Sequence, residues 1–336
     1  MKIAYFRAAA LAAISSLVVS TSAGAEIYKG ETAGAGGSTH AMFVAFANQA
    51  RKGGVDIQVN AGQTLTKSML NSGRGDLAFY SGVPSLVGLM KGGKAMYAKV
   101  EKAPEYAANL RSIMGFKAGM YHVVTKAGSG VEDWSDIAGR KVYVGPPAGS
   151  ASATSATIIK IMSGLEAGKD YTAIKLSWGE GLSALADGNV DVMVQPGEVG
   201  SAQIQQFGLS GEFRLLSITA DKLQSEEMKG LMGRPGRGLV TFPGSVYKGQ
   251  LTQGDVNGLG FFQFVGTNAA MSEDVVYAAT KAFWENLDDV HATANFLKDI
   301  TPETAFVAVN LPLHKGAYRY YKEAGFDVPE SIIPAQ

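Results

Sequence analysis

Gly139-Arg140-Lys141-Val142-Tyr143-Val144-Gly145-Pro146-Pro147-Ala148-Gly149-Ser150-Ala151-Ser152-Ala153-Thr154-Ser155-Ala156 is the stretch around which this chain is organised. Lys141 to Val144 reads as a short buried strand, because β-branched and aromatic residues follow a turn glycine. Gly145-Pro146-Pro147 stops it, since neither proline can donate to a sheet ladder. Ser150, Ser152 and Thr154 are N-cap candidates for a helix carrying Ile158, Ile159, Ile161 and Met162. A loop between the carboxyl end of a strand and the start of a helix presents free backbone N–H groups and a partial positive charge. Such a loop is also an ordinary β–α connection, so its meaning depends on the rest of the chain.

The stretch belongs to a longer alternation of strands and helices. Ile27 to Thr32 reads as a strand, Gly34-Ala35-Gly36-Gly37-Ser38-Thr39 as a glycine turn, and a helix follows with Met42, Phe43, Phe46 and Ala50 on one face. The glycine spacing is G-x-G-G rather than G-x-G-x-x-G. The next strand, Ile57-Gln58-Val59, ends in Asn60 where a dinucleotide site needs an acid, so a ligand's carboxylate suits the turn better than a nucleotide. Asn60-Ala61-Gly62-Gln63-Thr64 is a second polar loop between strand and helix. Met69 to Tyr80 then matches Ala184 to Gln195: each reads as a helix closed by a left-handed glycine (Gly73, Gly188), a turn aspartate (Asp76, Asp191) and an apolar strand. The repeat predicts two lobes of similar plan, with Tyr80-Ser81-Gly82 and Gln195-Pro196-Gly197 as equivalent loops. Leu110–Met114 and Tyr121–Thr125 read as strands on either side of a crossing at Phe116-Lys117-Ala118-Gly119, and Phe261–Gly266 as the return crossing. Leu231 to Gly258 is poorly periodic, and helices are expected near Glu273–Asn286 and Val290–Lys298.

These patterns give an α/β fold of two lobes, each a mainly parallel sheet flanked by helices, with two crossing strands as the hinge. Residues 26–118 with 259–336 form the first lobe and 119–258 the second. Ligands in such sheets bind outside the carboxyl ends of the strands. The expected ligand-binding residues are Gly37, Ser38, Thr39, Gln63, Thr64, Tyr80 and Ser81 from the first lobe, and Gly149, Ser150, Ser152, Trp178 (an apolar lid) and Gln195 from the second. His40 can face the cleft or solvate the first helix turn. Lys117, at the crossing, reads as a hinge lysine or a charge partner for the ligand. No arginine falls plainly in these loops, so an anion would rest on neutral donors and helix dipoles.

The bulk composition narrows the function classes. Residues 1–25 read as a signal peptide, with a basic start through Arg7, an apolar run from Ala8 to Val19 and an Ala23-Gly24-Ala25 cleavage motif, so a periplasmic protein cut near Ala25 is expected. No later run reaches about 20 apolar residues. There is no cysteine, which excludes a disulfide framework and thiolate chemistry. Thirty basic and thirty acidic residues balance, leaving no basic stripe for a nucleic acid. The histidines His40, His122, His291 and His314 lack metal-ligand spacing, and no G-x-S-x-G elbow is present. No enzyme, cofactor or metal site is expected, and His314 is expected to organise its turn.

Taken together, Asp136 to Pro147, Leu182 to Asp191, Val240-Thr241-Phe242-Pro243-Gly244 through Tyr247, and Leu311-Pro312-Leu313-His314-Lys315-Gly316-Ala317 through Gly325 resemble the TAXI-type solute receptors of TRAP transporters. The resemblance covers essentially all of the chain after residue 25. It implies a monomeric periplasmic substrate-binding protein of the type II, Venus-flytrap kind. Its ligand would be a small carboxylate or dicarboxylate such as glutamate or 2-oxoglutarate, handed to a membrane permease. Thr39-His40, Gln63-Thr64 and Tyr80-Ser81-Gly82 replace the family's usual residues in the binding loops. A ligand-sensing module for a membrane signalling partner, or a receptor for a non-carboxylate solute, fits the same residues.

Overall fold

The computed structural model describes residues 26–147 and 150–335; residues 1–25, expected to be a signal peptide, and Gly149 lie outside the described residues. The chain opens with β1 (Ile27–Glu31), α1 (Ser38–Lys52), β2 (Asp56–Asn60), α2 (Leu65–Arg74) and β3 (Phe79–Gly82). Helices α3 (Pro84–Lys91) and α4 (Ala103–Asn109) lead into a long strand, β4 (Leu110–Lys126). The alternation then repeats as β5 (Lys141–Tyr143), α5 (Ala151–Ser163), β6 (Thr172–Ile174), α6 (Trp178–Ala186) and β7 (Val192–Gly197). α7 (Ala202–Ser210), β8 (Phe213–Leu215), α8 (Ala220–Leu223), α9 (Glu226–Met232) and β9 (Arg237–Pro243) precede a second long strand, β10 (Asp255–Asn268). α10 (Glu273–Glu285), α11 (Leu287–Thr293) and α12 (Lys315–Glu323) complete the described helices.

The strands hydrogen-bond in the order β2-β1-β3-β10-β4-β7-β5-β6, with β8 on β4 and β9 on β10. β1, β2 and β3 are mutually parallel, as are β5, β6 and β7, while β4 and β10 run antiparallel to each other and to their neighbours. The fold is therefore α/β, with two parallel groups joined through two antiparallel crossing strands. Each group is covered on both faces, as buried parallel strands require. Phe43, Phe46 and Phe283 pack on one face of the first group, and Met69, Tyr80 and Leu86 on the other. Val142, Ile158 and Met228 cover one face of the second group, and Leu185, Phe207 and Phe213 the other.

Several expectations need correcting. The two strands read at Leu110–Met114 and Tyr121–Thr125 are one strand, because pairing with β10 continues through the crossing. The crossing survives as a bulge: Phe261 faces Gly119 and Phe262 faces Lys117, which leaves Ala118 as the extra residue. Gly73 does not close α2; it lies inside the helix against Tyr106, and Gly75 takes the left-handed position instead. Gly188 does have positive φ, and Asp191 accepts the Lys141 N–H at 2.8 Å as a turn aspartate should. The poorly periodic stretch contains β9, and the helix expected to Lys298 stops at Thr293 with a 3-10 turn following.

Candidate functional site

One face of β10 forms the floor of the candidate site. Alternation puts Leu259, Phe261, Gln263 and Val265 on that face. Leu259 packs in the core under α5 and Val265 in the core under α1. Phe261, half-buried between them, packs against both cores. The start of α1 stands at one end of this floor and the start of α5 at the other.

The α1 end is tied down by a chain of buried neutral groups. Thr39 Oγ1 donates to Gln263 Oε1 at 2.6 Å. Ser81 Oγ donates to Thr32 Oγ1 at 3.0 Å, and Thr32 Oγ1 donates to the Thr39 carbonyl at 3.3 Å. Residues from β1, the end of β3, the first turn of α1 and β10 are thus held as one unit. Gly37 is the exposed N-cap and has no side chain to occupy the first-turn N–H groups, which leaves them available to an anion.

The α5 end carries a charge. Arg237, first residue of β9, pairs in register with Phe261. Its guanidinium lies 5.3 Å from the centre of the Tyr121 ring, and one terminal nitrogen donates to Thr154 Oγ1 at 3.2 Å and to the Tyr121 hydroxyl at 3.4 Å. Tyr121 in turn meets Phe261 edge to face, with centroids 5.9 Å apart. Ser150 is the exposed N-cap of α5, again with no side-chain cap bond. Trp178, 38% exposed, lies edge-on to Tyr143 and over Gly145, where an added Cβ would sit 3.4 Å from the indole.

Of the expected ligand residues, the structure brings Gly37, Ser38, Thr39 and Ser81 together at the α1 end, with His40 in the same turn. His40 is half-buried and its Nδ1 has no partner among the described residues. Ser150 and Trp178 flank the α5 end. Gln63 turns back to the Ala61 carbonyl at 3.1 Å, and Thr64 is the exposed N-cap of α2. Tyr80 is fully buried edge-on to Phe264, so its ring is a core group. Gln195 sits opposite buried His122. Ser152 lines a separate cavity of about 710 Å³ with Lys169, Tyr171 and Lys175. Lys117 pairs with Asp299 at 3.1 Å on the surface.

Thr32, Gln263, Tyr121, Phe261 and Arg237 are the site residues that sequence reasoning missed. Thr154 was read only as a capping candidate. Their only local signal is the hydroxyl run that starts α5; the others gather by pairing between strands far apart in sequence.

Two buried histidines are structural. His122 Nε2 meets the Tyr247 hydroxyl at 2.9 Å, and that hydroxyl accepts the Gly200 and Ser201 N–H groups. His314 caps α12, its Nδ1 accepting from Gly316 N at 3.2 Å while its Nε2 meets the Met271 carbonyl at 3.1 Å. Burial lowers both imidazoles to about 4, so they stay neutral. At the carboxyl end of β7, burial raises the Glu198 carboxyl. Among the described residues no cluster of three His, Cys, Asp or Glu could hold a metal, and no helix is long and apolar enough to cross a membrane.

The model of the NMT1-like family matches residues 31–325. Among solved structures, the chain is similar to the periplasmic aliphatic sulphonate binding protein SsuA of Escherichia coli, at 13% identity over 91% of this chain and 96% of that one, with a TM-score of 0.46. It is also similar to the periplasmic ectoine-binding protein of the TeaABC TRAP transporter of Halomonas elongata, at 15% identity over 89% and 90% of the two chains, with a TM-score of 0.41.

Proposed function

The chain belongs to the NMT1-like family, and we propose that it is a periplasmic solute receptor, not an enzyme, which captures a small carboxylate between its two lobes. The lobes are residues 26–118 with 259–336, and 119–258. The observation that carries this reading is the convergence of two helix starts, α1 and α5, on the half-buried Phe261–Gln263 face of β10. Uncapped first turns supply oriented N–H groups and partial positive charge, and hydroxyls with one amide supply orientation. Nothing in this arrangement is a nucleophile beside a base, whereas its uncapped turns, hydroxyls and amide can bind and orient a polar solute.

A solute that touches both ends gains affinity only when the lobes are closed on it, so it shifts the population towards closure. A membrane permease of the TRAP kind would then read the closed form, as the TAXI-type motifs suggest. The leader expected at 1–25 fits export to the periplasm.

The test is a thermal-shift screen of the protein stripped of bound solute, against C4–C10 carboxylates, sulfonates and amides. A compound at 100 times its Kd adds about 2.7 kcal/mol, or several degrees of melting temperature. Ser150→Trp places a large ring at the exposed α5 start; it is expected to abolish the shift while leaving the apo melting curve unchanged. A hit whose affinity is the same in Ser150→Trp would remove this cleft from the site.

A further inference from the structure

The receptor reading leaves the number of acid groups on the solute open, and Arg237 bears on it directly. Among the described residues, Arg51, Arg74, Arg214 and Arg319 pair with carboxylates and Arg111 and Arg140 with main-chain carbonyls, while Arg234 is exposed. Arg237 alone of these touches only hydroxyls, those of Thr154 and Tyr121, and no described carboxylate lies within 4 Å of it. Both contacts use one terminal nitrogen. A guanidinium has five N–H donors, so the Nε and the other terminal nitrogen leave three donors without a described partner, on either side of the nitrogen that the hydroxyls hold. Thr154 already donates its own proton to the Ser150 carbonyl at 3.0 Å, so it can serve the arginine only as an acceptor. It holds the guanidinium in place and leaves the Nε and the other terminal nitrogen free.

The remainder of the floor is apolar or neutral. Half-buried Phe261 offers ring surface beside the guanidinium, backed by buried Tyr121. Gln263 and Thr39 at the far end carry no charge, and Lys117, the other cation near the crossing, is tied to Asp299. A second carboxylate on the solute would be desolvated there against neutral donors and a helix dipole alone, at a cost which those groups offset only in part.

We propose that Arg237 is the specificity-determining residue, and that it selects a solute with a single acid group on an apolar body over a dicarboxylate. This rests on the cleft being the solute site. The acid group takes the free N–H donors of the guanidinium, the body lies on Phe261, and any neutral polar end reaches Gln263.

The test is a set of matched probes titrated into the stripped protein: 4-methyl-2-oxopentanoate, phenylacetate and hexanesulfonate as monoacids, 2-oxoglutarate and phenylmalonate as diacids, phenylacetamide as the neutral form. A monoacid is expected to bind tightest, by tenfold or more over its diacid and amide. Arg237→Gln should weaken it about a hundredfold, and Arg237→Lys, which keeps the charge but not the fixed planar array of donors, about tenfold. Thr154→Val is a second variant that leaves the guanidinium intact, and a loss of several-fold is expected from it. A diacid or the amide binding tightest, no monoacid binding, or Arg237→Gln within threefold of wild type would each overturn the proposal. Binding that survives Arg237→Gln but not Ser150→Trp removes this inference and leaves the cleft as the site; binding that survives both removes the cleft as well.

Discussion

His314 shows how a single side chain ties the fold to pH. Its Nδ1 must stay unprotonated to accept the Gly316 N–H, and burial lowers its pKa from 6.5 to about 4. His122 is lowered to about 4 as well, beside Tyr247. Below pH 6.5 the unfolded chain takes up protons that the folded chain refuses, so stability present at neutral pH is lost as the pH falls from 6.5 to about 4. We predict that urea stability drops by a few kcal/mol across that window. His314→Asn keeps a capping acceptor without the titration, so it should flatten the slope while costing about 1 kcal/mol at pH 7. An unchanged slope in His314→Asn and in His122→Asn would show that carboxylates alone set the acid limit. Residue-level reading of the sequence succeeded for His314, which was expected to organise its turn. It failed for Tyr80, because which face of β3 is buried is decided by pairing with β10 and contact with Phe264. That information lies nearly two hundred residues away.

Among the elements, the amphipathic helices were legible because their period is local: Met42, Phe43, Phe46 and Ala50 of α1 are all fully buried, as their spacing requires. β9 was not legible. Its residues do not alternate cleanly, and its place comes from an antiparallel ladder with β10, so Arg237 reached the floor without any local sign. On α5, the hydroxyls two residues apart diverge: Thr154 meets Arg237, while Ser152 lines the outer cavity. Composition marked the right turn of helix but could not choose its face. Glycines within helices test the packing account at this scale. A Cβ on Gly73 of α2 would lie 2.4 Å from the Tyr106 carbonyl oxygen, whereas one on exposed Gly88 of α3 meets nothing within 4 Å. Gly73→Ala is expected to destabilise by about 1–3 kcal/mol despite its better helix propensity. Gly88→Ala should stabilise by about 0.5–1 kcal/mol. Equal effects from the two substitutions, read by chemical denaturation, would mean that helix propensity outweighs the close approach of α4.

At the scale of the whole molecule, β4 and β10 carry the sheet from one parallel group to the other, and the bulge at Ala118 marks where it can bend. The repeat of helix, glycine, aspartate and strand pointed to two parallel groups; that the crossing is continuous sheet was invisible, since Phe116-Lys117-Ala118-Gly119 read as a break between two strands. Gly236, next to Arg237, lies against Pro84 at the start of α3, where a Cβ would come within 3.0 Å. The residue proposed to hold the acid therefore adjoins this contact with α3, and capture is expected to depend on how α3 and β9 sit against each other. Because the chain has no cysteine, spin labels can be placed at will, at Lys67→Cys on α2 and Lys160→Cys on α5. The most direct measurement is the distance distribution between those labels, by pulsed electron–electron resonance, with and without the tightest-binding acid from the screen. The account predicts one narrower and shorter distribution with the acid, and no such change in the Ser150→Trp background. A distribution that the bound acid leaves unmoved would contradict closure of the lobes around the solute.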